Sequence, residues 1–298
     1  MSTTEGTEFE RFGPWIDPVR TEADVPRLFR NAGLDFTKIR AAIKIPRNIE
    51  RRLANASMDL YDQLLVIEAD TLTILTRVGS EYSRTAVAIA DVVAIEEGAN
   101  LLDGQLTLHT ADGQTTRLSF NGSSRASMVD FVDLLRPSTL TPIALRLASR
   151  RQGLQRGDLG ESGDGIIASF RDALRAEPGL RLLATSSAEP ARSRSAFGAL
   201  TDRVKPKALQ PIVLATDERQ LVFLTRTRPI TEAKQPDVSE LRRLVDLDRL
   251  RTITLAPHPA YSNATTATLH IAASEVDIVA PRGSELIAVL DDLSKVLD

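Results

Sequence analysis

The chain repeats itself, and that repeat constrains the fold more than any other feature. Leu72-Thr73-Ile74-Leu75-Thr76-Arg77 reappears as Leu221-Val222-Phe223-Leu224-Thr225-Arg226, each after an apolar run (residues 64–67 and 212–215) and a short polar turn. Val87-Ala88-Ile89-Ala90-Asp91-Val92 is matched by Val245-Asp246-Leu247-Asp248-Arg249-Leu250, and Leu108-His109 by Leu269-His270, in the same order at nearly the same spacing. A hairpin that recurs together with its downstream strands implies two copies of one small domain, with the gaps falling where loops fall.

The pattern between these landmarks has period two. Leu106 and Leu108, then Leu118 and Phe120, flank Asp112-Gly113, a dipeptide suited to the positive φ angles of a tight hairpin. Ala267, Leu269 and Ile271 alternate with Thr268 and His270, and Val276 and Ile278 flank Asp277, which predicts half-buried antiparallel strands. Each copy then changes to a helical period, with Met128, Phe131, Val132 and Leu135 on one face in the first and Leu286, Val289, Leu290, Leu293 and Leu297 in the second. Ser124 and Ser284 stand at the cap positions, and Pro137 ends the first helix because its ring and missing N–H cannot continue the ladder.

These patterns divide the chain into an N-terminal aromatic arm (1–35), a first domain (36–136), a helical connector (137–178) and a second domain (179–298). The arm gathers Phe9, Phe12 and the one tryptophan, Trp15, around Gly13-Pro14, with a short helix expected near residues 24–31. The connector predicts two helices, one capped by Thr141 with Pro142 at its first position and Gly153 past its end, the other capped by Asp164 and stopped before Pro178. Residues 186–210, rich in Ser, Ala, Arg and Pro, predict a long loop inside the second domain.

Residues 211–225, Pro-Ile-Val-Leu-Ala-Thr-Asp-Glu-Arg-Gln-Leu-Val-Phe-Leu-Thr, followed by Val245-Asp246-Leu247-Asp248-Arg249-Leu250 and a terminal amphipathic helix, resemble the bacterial pleckstrin-homology-like (PH-like) domain. The first copy keeps the hydrophobic frame but has Ile67-Glu68-Ala69-Asp70 at the turn, and so resembles a diverged sibling. The resemblance implies an α+β chain that is mainly β, with two tandem PH-like antiparallel sandwiches or barrels, each closed by a C-terminal helix. It implies no single function, because this superfold serves lipid binders, peptide binders and assembly modules alike.

Composition narrows the chemistry. With no cysteine among 298 residues, disulfides and thiolate nucleophiles or ligands are absent, which suits a reducing compartment. Residues 1–10 are polar and acidic, without the apolar core of a signal peptide, and no apolar run is long enough to span a bilayer, so a cytoplasmic location is expected, with peripheral attachment at the inner membrane face allowed. A formal charge of −3 gives no global attraction to nucleic acid, which is not an expected partner. His109 and His270 fall on the strand face opposite Leu108 and Leu269, beside threonines and without a carboxylate at ligand spacing, so neither a metal nor an acid–base role is expected, and His258 reads as a loop residue between two prolines. Residues 158–165 imitate a calcium loop or phosphate cradle, but Gly160 and Ser169 occupy two calcium-ligand positions and no Gly-Lys-Ser/Thr follows. No catalytic residues and no cofactor are assigned, and the chain is expected not to be an enzyme.

The candidate contact residues are two basic groups between the first strand of each copy and its repeated hairpin: Arg47, Arg51 and Arg52 in the first, and Arg192, Arg194, Arg203, Lys205 and Lys207 in the second. The resemblance makes that loop a phosphate-binding position. Phe12 and Trp15 are candidates for a partner-binding arm, and Arg146, Arg150 and Arg151 read as the wet face of a connector helix. The sequence thus predicts a non-enzymatic scaffold that binds a protein partner or a second copy of itself, with peripheral binding to anionic lipid headgroups through the basic loops as the alternative.

Overall fold

The computed structural model describes residues 8–137, 139–141, 153–160, 163–233 and 237–297. The structure is mixed α and β, mostly antiparallel sheet with a few helices. It divides into two compact units. The first comprises Met1–Val92, Leu102–Leu106 and Leu118–Arg136; the second comprises Val93–Leu101, Thr107–Arg117 and Pro137–Asp298. Residues 93–101 and 107–117, which belong to the first repeat by sequence, are thus counted with the second unit.

In the first unit β1 (Asp17–Pro18), β2 (Ile39–Pro46), β3 (Tyr61–Glu68), β4 (Thr71–Val78) and β5 (Glu81–Ala88) form a five-stranded antiparallel sheet in that order. The repeated hairpin is β3–β4, with Val66 opposite Thr73 and its turn made by Ala69 at φ 42°. Leu64, Val66 and Leu75 form the core with Phe12, Phe29, Leu60 and Tyr61. The expected arm helix takes the tighter form of two 3₁₀ segments, Glu22–Asp24 and Arg27–Ala32.

The next elements are β6 (Val92–Asn100), β7 (Asp103–Thr110), β8 (Thr115–Asn121) and α1 (Arg125–Asp133). Gly113, at φ 85°, makes the β7–β8 turn as its dipeptide predicts. Met128, Phe131, Val132 and Leu135 are all buried, so the helical period identified the core face correctly. Ser124 stands at the N-cap, but its Oγ accepts a hydrogen bond from the Ile16 N–H (3.0 Å) and none from α1.

The second copy follows α2 (Asp164–Ala176). It contains β9 (Arg181–Ser186), β10 (Glu189–Pro190), α3 (Ala196–Val204), β11 (Lys207–Leu209), β12 (Ile212–Thr216), β13 (Gln220–Thr225), β14 (Ile230–Glu232), β15 (Glu240–Asp246), β16 (Leu250–Pro257), β17 (Ala264–Ile271), β18 (Ser274–Pro281) and α4 (Glu285–Leu297). Asp164 is the first residue of α2, one position inside the cap it was expected to form, and the helix buries Ile166, Ile167 and Phe170. The sequence counterpart of β3–β4 is β12–β13, whose turn again carries a left-handed non-glycine residue, Glu218 at φ 73°, while the Asp217 carboxylate accepts from Arg219 N and Gln220 N at 3.0 Å. On α4, Leu286, Leu290 and Leu293 are buried against the core and Val289 and Leu297 pack at its margin, while Ser284 Oγ accepts from Ile287 N. The connector helix over 142–152, with Arg146, Arg150 and Arg151, lies outside the described residues.

Two features depart from the sequence reading. Residues 186–210 are not a loop: they hold β10, α3 and β11, and β10-β11-β14 make a small sheet of their own. The largest sheet runs β8-β7-β6-β15-β13-β12-β9, so β15 has a second neighbour, β6, where its sequence counterpart β5 is an edge strand. The β6–β15 register sets Glu96 opposite Arg243 and Glu97 opposite Arg242, so two acids face two guanidiniums across one strand pair.

Candidate functional site

Two of the three basic residues of the first unit, Arg47 and Arg51, are committed to its own backbone. Arg51 donates through Nη1 to the Phe12 carbonyl and through Nη2 to the Glu10 carbonyl (3.0 Å), while its guanidinium lies 6.0 Å from the Phe9 ring centre. Arg47 donates to the Asp59 carbonyl at 3.1 Å and faces Asp62 at 3.8 Å, and Arg52 pairs with Glu50. Arg51 thus ties the arm to the 47–60 segment and Arg47 ties that segment to β3, whereas Arg52 stays exposed. Phe12 is 2% exposed and packs edge-on to Tyr61, which makes it a core residue. Trp15 is 58% exposed, with its ring folded back over Gly13, where a Cβ would lie 2.6 Å from the indole.

In the second unit the basic residues flank α3 in the sequence, and this helix is held by its polar side. Ser195 caps it, its Oγ accepting from Gly198 N at 3.0 Å, and the Asp202 carboxylate accepts from Ser193 N at 3.0 Å. A Cβ on Gly198 would come within 2.6 Å of the Ser193 Cβ, so the glycine permits this close approach. The preceding segment is fastened to the 258–263 loop: Arg194 N donates to the Ala260 carbonyl, Arg194 Nε to the His258 carbonyl at 2.9 Å, and Arg192 N to Asn263 Oδ1 at 2.8 Å. Burial, then the Arg194 charge, hold His258 below its ordinary pKa, and its Nδ1 accepts from Ala260 N and Tyr261 N.

The helix is therefore anchored through Gly198 and Asp202, and it buries no residue. Phe197, Leu200 and Val204, spaced three and four apart and hence on one face, are 79%, 60% and 75% exposed. A surface helix ordinarily turns such a stripe to the core; here the stripe faces solvent. Arg203 on the helix and Lys205 at its C-terminal end are exposed, as are Arg192 and Arg194 in the segment before it. The backbone N–H of Ser193 lowers the Asp202 pKa, which keeps this carboxylate ionised on the anchored side.

Lys207 is drawn elsewhere. Its Nζ lies 3.1 Å from the Tyr261 hydroxyl, a contact that raises the lysine pKa, and it lines a polar cavity of about 360 Å³ with Thr231, Arg228, Glu232 and Asp237. Two cations against two acids give that cavity no preference for an anion.

His109 has a carboxylate neighbour that its sequence spacing did not show. It is largely buried, 3.4 Å from Glu96, which also faces Arg243 at 3.2 Å. Burial pushes the Glu96 carboxyl up, but contact with His109 and the Arg243 guanidinium outweighs it and holds the pKa at about 2. His270 lies 3.1 Å from Glu275 and 3.1 Å from Thr254 Oγ1, so it too has a carboxylate neighbour, supplied by the next strand. Among the described residues no group of three His, Cys, Asp or Glu could hold a metal ion, and no helix is long and apolar enough to cross a membrane. The signal for α3 was present in the sequence as the 197, 200, 204 spacing, inside a segment whose Ser, Arg and Pro content reads as a loop. No protein-family model matches the chain, and no curated protein sequence matches it.

Proposed function

We propose that the chain is a non-enzymatic binding protein built on two PH-like modules, and that the second module attaches peripherally to an anionic membrane surface through α3. The strand-for-strand correspondence of β2-β3-β4-β5-β6-β7-β8-α1 with β9-β12-β13-β15-β16-β17-β18-α4 supports the tandem reading. The observation that carries the membrane reading is the outward face of Phe197, Leu200 and Val204, with the exposed Arg203 on the same helix and Lys205 at its C-terminal end. An apolar stripe bordered by Arg and Lys suits the boundary between acyl chains and anionic headgroups.

Magnitude favours this over the charges alone. Burying three such side chains from their present exposure contributes about 4 kcal/mol. Arg203 and Lys205 together add about 2 kcal/mol near an anionic leaflet. The total of about 6 kcal/mol corresponds to a dissociation constant of order 10–100 μM, which suits reversible attachment.

Co-sedimentation with vesicles tests the reading. The protein is expected to pellet with phosphatidylserine-containing vesicles, less so at high salt, and to stay in the supernatant with pure phosphatidylcholine. A Phe197→Ser/Leu200→Ser/Val204→Ser variant should lose roughly 10²- to 10³-fold in affinity, and Arg203→Gln/Lys205→Gln should lose most of the salt dependence. Equal pelleting of all three proteins would overturn it. A protein partner is the second reading, favoured by β5, an eight-residue edge strand exposed along most of its length.

A further inference from the structure

The first unit holds a second surface that the membrane reading leaves unused. A groove of about 480 Å³ lies between α1 and the N-terminal half of β2. Its walls are apolar, supplied among others by Ile16, Val19, Phe36, Ile39, Phe131 and Leu134. Its polar lining is Arg20 and Arg40, both exposed, against Asp130 and Ser127 on α1.

One wall is an unfinished sheet edge. β1 pairs with β2 only at Asp17 opposite Lys44 and Pro18 opposite Ile43, and Val19 N donates to the Ala42 carbonyl at 2.8 Å. Beyond that point the arm turns into its 3₁₀ segment, and among the described residues no strand pairs with Ile39, Arg40 and Ala41 on this side. The β2–β3 register shifts between Ile39 and Ala41, a bulge that sets Arg40 off from the regular alternation; Arg40 lines the groove while its Nη1 donates to the Ala69 carbonyl at 3.1 Å. The chain's own β1 thus begins a strand that the groove has room to continue.

We propose that this groove receives an extended peptide segment of alternating apolar and acidic residues, which prolongs the line of β1 antiparallel to β2. Strand addition supplies main-chain hydrogen bonds to the open edge, and the apolar wall takes alternate side chains. Two guanidiniums against one carboxylate select acidic over basic side chains at the rim. This site is independent of α3, so its failure leaves the membrane reading untouched.

The test uses the full chain and two fluorescein-labelled probes, acetyl-Val-Glu-Ile-Asp-Val-amide and acetyl-Val-Lys-Ile-Lys-Val-amide, read by anisotropy. The acidic probe is expected to saturate below about 1 mM and to bind at least ~10-fold more tightly than the lysine probe. N-methylation of two alternate amides should weaken it roughly tenfold, because each methyl removes a donor to the sheet edge. Ser127→Trp, at an exposed helix position, should fill the groove and abolish binding; Arg20→Glu/Arg40→Glu should invert the preference while leaving the core intact. Failure of both probes to bind, equal affinity for the two, indifference to N-methylation, or unchanged binding to both variants would each overturn the proposal. Indifference to N-methylation alone would point to an apolar small-molecule pocket.

Discussion

Replacing Glu96 by Gln puts a neutral near-isostere where β6 faces β15, and the structure gives the size of the effect. The Glu96 carboxyl is held at about 2 against an ordinary 4.5, despite a burial that alone would raise it. Because a tenfold change in proton affinity is worth ~1.36 kcal/mol, keeping this group ionised favours the folded state by about 3 kcal/mol at neutral pH. A depressed acid contributes stability above its unfolded pKa and loses it as pH falls through the folded value. The contribution is therefore complete above about pH 5, declines below 4.5 and is gone near 2. Glu96→Gln imitates the protonated form while leaving Arg243, largely buried, without its facing carboxylate. Urea unfolding at pH 7, 5 and 3.5 should show the variant about 3 kcal/mol less stable at pH 7, with the gap closing toward pH 2 and the m-value unchanged. A gap that is the same at every pH, or absent at pH 7, would refute the assignment of this cluster to the β6–β15 pairing.

Two further outcomes follow from packing. Phe12→Ala should cost about 3–5 kcal/mol in urea midpoint analysis, because the ring is buried against Tyr61 and leaves a cavity, whereas Trp15→Ala should cost less than ~1 kcal/mol. Gly104→Val should destabilise by about 2–3 kcal/mol, since a Cβ at that position would lie 2.5 Å from the Phe120 ring; a thermal melt indistinguishable from the parent would contradict that contact.

The parts of the fold that were legible are those governed by local periodicity. Met128, Phe131, Val132 and Leu135 share a face in any helix, and Leu269, Ile271, Val276 and Ile278 alternate in any strand, so both patterns announce the core without knowledge of its partners. Gly113 is legible for the same reason, because its backbone freedom answers a local need. What stayed hidden depends on partners distant in sequence. Arg51 looks like a loop cation until its acceptors are known, and these are the Phe12 and Glu10 carbonyls, backbone groups that carry no side-chain signature. Glu96-Glu97 and Arg242-Arg243 are complementary as written, yet only the register brings them opposite, and the repeat argues for placing them in separate domains. α3 was missed because composition outweighed spacing: Ser, Arg and Pro around it suggested a loop, while Phe197, Leu200 and Val204 already had a helical interval.

The central claim is that the outward face of α3 enters a membrane interface, and its depth can be read directly. In a Trp15→Phe background, Phe197→Trp places the one tryptophan on that face. With phosphatidylserine-containing vesicles its emission should shift to the blue and be quenched by lipids brominated along the acyl chain, and both effects should be absent with phosphatidylcholine alone. Emission that stays at the water-exposed wavelength while the protein pellets with anionic vesicles would contradict the claim and leave Arg203 and Lys205 as a purely electrostatic contact.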